Sequence, residues 1–302
     1  AAVVGNAAAA VATGLADCVV VMRSLAQGQH ERYGQAAQRT VVTEEKAFEN
    51  PYGVMSPAQR FAMKVMRFMH EHGVRQEALR AVAMASYHHA QNNPLALMHG
   101  RPLDEAMYAQ SRWITEPFHL YDCCMENDGA AALVIVPADR APDLPHKPCY
   151  LLGVAAGSQH RCGAWSHNAP DYASASFGSV APHLYDMARV SPADVDVLQC
   201  YENFTGGVVM AMVEHGLCKA EEVNAFMVPE NLYAQGGKLP LNTSGGNMAE
   251  CYMHGLGLVI EGVRQVRGTS TNQLASVDVS MVIGGPMTTP VSSLIFGSGA
   301  TL

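Results

Sequence analysis

Three side chains that can do covalent or acid–base chemistry stand together in one segment, "LNTSGGNMAECYMHG", residues 241–255. Cys251 and His254 could form a nucleophile–base pair, in which the imidazole takes the proton of the thiol. Tyr252, between them, carries a phenol, which serves as an acid, or as a base once its neighbours lower its pKa. Because a cysteine beside a helix is more often inert packing than a nucleophile, the residue types leave both chemistries open.

The glycine-rich part of the same segment could bind an anion or a thioester oxygen. Asn242, Ser244, Gly245 and Gly246 precede a predicted helix that begins near Leu256. Their backbone amides could therefore present a cluster of hydrogen-bond donors. Glycines also mark ordinary turns, so the Ser-Gly-Gly motif is weak evidence when taken alone.

Two other segments place polar residues or glycines next to predicted strands. In "QCYENFTGG", Tyr201 and Asn203 follow directly on a strand, where open α/β sheets bind ligands. A tyrosine at the rim of the fold with its hydroxyl in water is the alternative interpretation. In "VIGGPM", Gly284 and Gly285 connect two strands, and a tight hairpin explains them without any function.

The histidine and cysteine spacings give little support for a metal site. His160 with Cys162, and His215 with Cys218, are spaced as metal ligands could be. Neither has a second matching pair nearby, so we expect no bound metal.

The composition indicates an α/β protein with a large buried core. The 302 residues are 49% hydrophobic and only 15% charged, so most elements should be buried on more than one side. The net charge of −8 and the lack of a basic run argue against a nucleic-acid binder. We recognise no secretory signal and no apolar run of membrane-spanning length, and we expect free thiols in a reducing cytoplasm.

Apolar periodicity predicts alternating helices and strands. The chain opens with a small-residue helix over residues 3–13 and a buried strand over 18–22, without Met or lead-in, so we expect its natural N-terminus to be missing. The remaining predicted elements are helices over 57–73, 76–92, 204–215 and 256–266, and strands over 128–138, 149–157, 195–200, 276–283 and 290–296. The order of a helix followed by a strand recurs near the end, which predicts two related halves, 1–145 and 146–302, joined at the proline-rich segment 139–148.

Residues 44–119 read as a mostly helical insertion that is rich in methionine. The methionines stand at positions 55, 63, 66, 69, 84, 98 and 107. Filling of the core is the favoured interpretation, and an adaptable apolar tunnel wall is the alternative.

Four motifs in a fixed order resemble those of the thiolase superfamily, and most of all its lipid-transfer-protein, sterol-carrier-type branch. They are "CCMENDGAAALVIV", "CYENFTGGVVMAMVEHGLC", "GGKLPLNTSGGNMAECYMHGLGLVIEGVRQVRG" and "VSMVIGGPMTTPVSSLIFG", and "HHAQNNPLALMHGRPL" is similar to the loop domain of that branch. The resemblance covers essentially the whole chain. It implies a five-layer α/β/α/β/α fold of two duplicated halves, with 44–119 as the loop domain, and a homodimer.

Compared with working thiolases, the sequence differs at each chemical position that it contains. Tyr252 stands where the histidine of a Gly-His-Pro motif belongs, Val282 replaces the second cysteine, and Tyr201 replaces the asparagine of Asn-Glu-Ala-Phe. The nucleophile position of the family precedes Ala1. Thiolysis needs an activated thiolate and a second cysteine that moves a proton at carbon, and valine can do neither.

The steroid side-chain aldolases, a sub-branch of the family, look like this chain because they carry two active-site tyrosines. The resemblance implies retro-aldol cleavage of a β-hydroxyacyl-CoA to a ketone and a short acyl-CoA such as propionyl-CoA, with Tyr201 and Tyr252 as the acid/base pair in undecided order. It implies substrate or oxyanion contacts from Asn203, Asn242, Ser244, Gly245, Gly246, His254, Gly284 and Gly285. It also implies a small OB-fold/zinc-ribbon partner that completes the acyl-CoA site, and no cofactor besides the coenzyme A of the substrate.

Two alternatives remain open on the sequence. A degenerate thiolase could use Cys251 as a relocated nucleophile, and an acyl adduct on that cysteine would reveal it. A non-catalytic homologue could bind lipid or stabilise a partner, with saturable binding and no turnover.

Overall fold

Helices and strands alternate along the part of the chain that this computed structural model describes, residues 1–29, 42–43, 46–159 and 171–302. The helices longer than one turn are α1 Ala2–Ala12, α2 Pro57–His72, α3 Gln76–Gln91, α4 Glu105–Gln110, α5 Val180–Ala188, α6 Thr205–Glu214 and α7 Leu256–Arg267. The strands are β1 Val19–Ala26, β2 Trp113–Thr115, β3 Phe118–His119, β4 Asp128–Ile135, β5 Tyr150–Gly157, β6 Val197–Cys200, β7 Val279–Gly284 and β8 Val291–Gly297. Single-turn α-helices cover Lys46–Glu49, Val223–Phe226 and Pro229–Leu232. Each long helix and strand predicted outside the insertion is present, with ends shifted by a few residues.

A four-stranded sheet in the order β5-β8-β7-β6 divides the interior into two cores. β5 and β7 run antiparallel to β8, and β6 runs parallel to β7. Side chains alternate between the two faces, so Met281 and Ile283 contribute to one core while Val282 contributes to the other. The strands read as nearly continuous apolar runs because both faces are covered.

Helices α1 and α7 lie between this sheet and a second, two-stranded sheet of β1 and β4. Small residues allow the close packing, since a Cβ at Gly5 would stand 2.6 Å from Val154 Cγ2, and one at Gly262 would stand 3.0 Å from Val282 Cγ2. On the far face of the four-stranded sheet, α5 packs against β5 and β8. The described residues thus form four layers: the β1–β4 sheet, helices, the larger sheet, and helices again. The expected α/β architecture is present, but the fifth layer, a helical one outside the β1–β4 sheet, is not among the described residues.

The prediction of a buried strand at residues 18–22 is wrong for one of its faces. Val21 points into the core, but Val20 and Met22 on β1 are 60% and 67% exposed, as is Val134 on β4 at 61%. The cause is that β1 pairs only with β4 and no described element packs on the outer face of this sheet.

The connection between β7 and β8 also differs from the expected tight hairpin. The strands pair antiparallel as predicted, but the loop between Gly284 and Val291 contains six residues. A two-residue turn therefore does not account for the two glycines.

The insertion is helical, as expected, and its first long helix begins with the predicted cap. Ser56 Oγ accepts a hydrogen bond from the Gln59 backbone N–H, Gln59 Oε1 accepts one from the Ser56 backbone N–H, and Pro57 occupies the first helical position. Buried residues of α2 and α3 belong to the same core as those of α6. The division into two halves near residue 145 stays a prediction.

The methionines of the insertion do not fill its core. Met55, Met63, Met66 and Met107 are exposed, and Met69, Met84 and Met98 are only partly buried against the core. Alanines together with larger side chains of α2 and α3 form the interior instead, and the larger ones include Phe61, Phe68, Leu79 and Tyr87.

Candidate active site

The two tyrosines predicted from separate segments meet at the carboxyl end of β6. Tyr201 follows the last residue of that strand, and its backbone N–H donates to the carbonyl of Ile283 on β7 at 2.8 Å. Tyr252 follows a π-helical turn over Gly246–Glu250. Their hydroxyl oxygens are 2.8 Å apart, and the rings are inclined at 63°. The pair therefore shares one hydrogen bond and can exchange a proton.

A glycine at the start of α7 makes room for the Tyr201 ring. Gly255 has φ +79°, and a Cβ there would lie 2.6 Å from Tyr201 Cδ2, well inside van der Waals contact. Only glycine combines this left-handed backbone with so close an approach.

The surroundings of Tyr201 oppose its ionisation. Burial raises the pKa of Tyr201, and the neighbouring Tyr252, Cys124 and Glu202 raise it further because each becomes negative on ionisation and would repel a phenolate. Tyr201 is thus protonated at neutral pH and available as a hydrogen-bond donor.

Glu202 is a site residue that sequence reasoning missed. Its carboxyl is buried beneath the loop and accepts from the Asn247 backbone N–H at 2.6 Å and from Asn247 Nδ2 at 3.0 Å. Burial raises the pKa of Glu202 to about 8. These bonds fasten the π-helical turn that precedes Tyr252 to the end of β6. The sequence could have indicated this residue, because Glu202 stands at the glutamate position of the Asn-Glu-Ala-Phe motif.

Cys251 and His254 have different partners, so the structure does not join them as a nucleophile–base pair. Cys251 Sγ accepts from Asn127 Nδ2 at 3.0 Å, and burial raises the pKa of this thiol. Asn127 also fixes Tyr252, whose backbone N–H donates to Asn127 Oδ1 at 2.8 Å. A protonated, packed thiol is a weak nucleophile.

The His254 ring lies between Tyr252 and an arginine that the sequence did not single out. Its centroid is 5.0 Å from that of the Tyr252 ring, and its Nδ1 is 2.7 Å from Arg23 Nη2 on β1. Burial and the positive Arg23 lower the pKa of His254. The imidazole is therefore neutral beside the two phenols at neutral pH.

Three of the backbone N–H groups at 242–246, those of Asn242, Gly245 and Gly246, have acceptors within the fold, and the role of this segment toward a thioester oxygen stays a prediction. The Gly245 N–H donates to Asn242 O at 2.9 Å, and the Gly246 N–H faces Ser244 Oγ at 3.4 Å. Ser244 Oγ itself donates to Glu250 Oε2. The π-helical turn winds these groups inward, and all of 242–246 is buried.

Asn242 has a structural task instead. Its side chain accepts from the Cys200 N–H at 2.8 Å and donates to the Cys200 carbonyl at 3.0 Å, so it pairs with β6 as another strand would. The residue is fully buried and has φ +52°, which asparagine tolerates better than most residues.

The other expected substrate contacts surround the end of the same sheet. Asn203 Oδ1 accepts from the Phe204 N–H at 3.1 Å, close to the start of α6, and its carbonyl accepts from Cys124. Gly284 is the last residue of β7 and lies next to Ser292 and to Ala1, the N-cap residue of α1. Gly285 follows with φ +69°. Their contact with a substrate stays a prediction.

The histidine–cysteine pairs considered for a metal do not form a centre in the described structure. His160 and Cys162 lie outside the described residues. His215 Nδ1 faces the Ala211 carbonyl at 2.8 Å, and its Nε2 faces Ser293 Oγ at 3.0 Å. Within the described ranges, no group of three or more potential ligands is close enough to hold a metal ion.

A search of the same ranges for membrane-spanning helices gave a negative result. None of the described helices combines the length and the apolar character that crossing a bilayer requires.

Comparisons with known proteins place this geometry among acyl-CoA enzymes. The family model described as "Thiolase C-terminal domain-like" matches residues 157–298. A steroid side-chain-cleaving aldolase of Thermomonospora curvata is 39% identical over 98% of this chain and 77% of its own length. The 17-hydroxy-3-oxo-4-pregnene-20-carboxyl-CoA lyase of Mycobacterium tuberculosis is 37% identical over 98% of this chain and 78% of its own.

Solved structures also resemble this chain. The structure titled "Ltp2-ChsH2(DUF35) aldolase" superposes with a TM-score of 0.89 at 38% identity, covering 99% of this chain and 77% of that one. A monomeric SCP2-thiolase-like protein from Mycobacterium smegmatis, at 15% identity and a TM-score of 0.68, shares the fold.

Proposed function

We propose a mechanism for a chain that belongs to the thiolase superfamily, in its branch of steroid side-chain-cleaving aldolases. The enzyme is a carbon–carbon lyase that cleaves a steroid acyl-CoA thioester by a retro-aldol reaction. We infer that Tyr201 and Tyr252 carry out its proton transfers. The observation that carries this proposal is the 2.8 Å hydrogen bond between their hydroxyls at the carboxyl end of β6.

The reaction needs one proton removed and one proton returned. The β-hydroxyl loses its proton to a phenolate, the Cα–Cβ bond breaks, and its electron pair passes into the thioester as an enolate. A phenol then protonates Cα. The products are a ketone and a shortened acyl-CoA, and the hydrogen bond between the tyrosines returns the dyad to its starting state. No step requires a cofactor, because coenzyme A enters as part of the substrate.

A role for Tyr201 and Tyr252 is tested by removing single hydroxyls. We expect Tyr252→Phe and Tyr201→Phe each to lower ketone release by at least about 100-fold, since acid–base catalysis contributes roughly 10²–10⁴-fold. Tyr52→Phe is a matched control, because Tyr52 is 87% exposed. Activity is measured as ketone formed from a β-hydroxyacyl-CoA, with circular dichroism to confirm folding. Full activity of Tyr252→Phe would refute the assignment.

The thiolase alternative gives a distinct result. Thiolysis through Cys251 would leave an acyl group on that thiol, whereas the proposed reaction forms no covalent intermediate. We expect intact-mass spectrometry after incubation with acyl-CoA to show no adduct, and Cys251→Ala to keep at least about a third of the lyase activity. An adduct lost in Cys251→Ala would favour the thiolase. Saturable acyl-CoA binding without any turnover, even with a partner added, would favour a non-catalytic homologue.

We also propose that the chain acts as a homodimer together with a small acyl-CoA-binding partner. The support is the related solved structure, whose title names a DUF35 partner. An OB-fold with a zinc ribbon is the architecture that we expect for this partner. Co-purification followed by size-exclusion chromatography with light scattering tests the assembly, and a monomer that is fully active alone would contradict it.

A cytoplasmic location is proposed because the seven described cysteines are all free thiols, as is usual in a reducing compartment.

A further inference from the structure

The guanidinium of Arg23 contacts the imidazole ring of His254. It lies on β1, opposite Ala131 of β4, and its Nη2 is 2.7 Å from His254 Nδ1. None of the carboxylates in the described ranges forms a salt bridge with it. An arginine side chain always carries its charge, so within the described ranges this positive charge is not neutralised by a salt bridge.

The contact determines the protonation of His254. A guanidinium has only donors, so Nδ1 of the ring must accept, and the proton of the neutral imidazole is on Nε2. Partial burial of the ring and the Arg23 charge lower the pKa of His254, which agrees with this neutral form. The His254 ring centroid is 5.0 Å from that of Tyr252. The guanidinium of Arg23 and the phenol of Tyr252 are therefore linked through a single imidazole ring.

The two tyrosines therefore have different electrostatic neighbours: groups that become negative on ionisation surround Tyr201, and a positive guanidinium lies beyond the ring next to Tyr252. Tyr201, after β6, faces Cys124 of the loop before β4 and the Glu202 carboxyl, and both would be negative if ionised. The Tyr252 ring packs against His254, which in turn contacts Arg23, and the adjoining Cys251 is a protonated thiol that accepts a hydrogen bond from Asn127. A phenolate is thus favoured at Tyr252 and disfavoured at Tyr201.

We propose that Arg23, held by His254, stabilises the phenolate form of Tyr252 and so makes Tyr252 the base of the dyad and Tyr201 its acid. This inference rests on the proposed function. Tyr252 takes the β-hydroxyl proton as the Cα–Cβ bond breaks, and Tyr201 donates its own proton to Cα of the enolate. The proton on Tyr252 then passes to Tyr201 along their hydrogen bond, which leaves no net change in protons. Arg23 touches no reacting atom and is a positioning residue.

The pH dependence of kcat tests the role of Arg23. In Arg23→Gln we expect the acidic limb, where the base becomes protonated, to move up by about 0.5–1 pH unit, because an exposed positive charge one ring away from the base is lost. Arg23→Lys keeps the charge and should restore at least half of that shift. Arg140→Gln, which removes an exposed arginine from the segment 139–148, should overlay the wild type. An unmoved limb in Arg23→Gln, or an equal shift in Arg140→Gln, would overturn the inference.

A second measurement separates this inference from the proposed function. Tyrosine labelled at Cζ gives an NMR resonance that reports ionisation, and the Tyr252 signal is identified by its loss in Tyr252→Phe. We expect this resonance to titrate about 0.5–1 unit higher in Arg23→Gln than in the wild type. If it does so while Tyr252→Phe remains fully active, the electrostatic effect is real and the catalytic dyad is wrong. If Tyr252→Phe is inactive and the resonance titrates identically in both proteins, the dyad stands and the role of Arg23 is wrong.

Discussion

Gly255→Ala is expected to lower the catalytic rate by displacing the ring of Tyr201, although residue 255 itself takes no part in the proposed proton transfers. The new methyl group would lie 2.6 Å from Tyr201 Cδ2 and 3.2 Å from Cε2. Ordinary contact begins near 3.4 Å, so the ring must retreat by about 0.8 Å. The hydroxyl of Tyr201 then leaves the position in which it bonds Tyr252 at 2.8 Å.

The chain contains a matched control for this substitution at the other end of the same helix. Gly268 ends α7 with the same φ of +79°, but a Cβ there would meet nothing within 4 Å. Both alanine variants bear the cost of a left-handed backbone, about 1–2 kcal/mol. The difference between them therefore isolates the displacement of the Tyr201 ring.

We expect Gly255→Ala to lower kcat/KM about 100-fold, because a misplacement on the order of 1 Å at a reacting group has roughly that effect. Gly268→Ala should stay within about threefold of the wild type, with a similar loss of thermal stability. The assay is ketone release from a β-hydroxyacyl-CoA, with a thermal melt of each variant. Equal activities of the two variants would refute the reasoning that the position of Tyr201 controls the rate.

Two further predictions concern buried polar groups beside the site. Burial raises the pKa of Glu261 on α7 to about 7 from its ordinary 4.5, so its contribution to stability is full below about pH 4.5 and is lost as the pH rises through about 7. Urea titrations should therefore show a smaller fall in unfolding free energy between pH 5 and 8 for Glu261→Gln than for the wild type, and an equal fall would contradict the burial argument. Asn242→Ala leaves the buried N–H and carbonyl of Cys200 unpaired and should lower the unfolding free energy by about 2–4 kcal/mol. A loss below about 1 kcal/mol would show that Asn242 does not hold the loop to β6.

Much of the site could be predicted from the sequence because its residues lie next to local structure signals. Tyr201 follows an apolar strand and Tyr252 follows a glycine-rich turn, and the structure brings their hydroxyls together. Glu202 was missed although it lies inside a recognised motif, because local sequence does not show that a carboxylate is buried. Arg23 was missed because its partner, His254, is 231 residues away in the chain.

The amino-acid sequence alone was enough to predict the alternation of helices and strands, the replacement of the second thiolase cysteine by Val282, and the two phenols at the histidine and asparagine positions. These features depend on apolar periodicity and residue type, which are local properties. The acceptors of the backbone amides required the tertiary structure, which shows the N–H of Gly245 donating to Asn242 O and that of Gly246 facing Ser244 Oγ. It alone also decided how charge is distributed around the dyad, because electrostatic surroundings arise from segments that meet only when the β1–β4 sheet and the end of β6 are folded together.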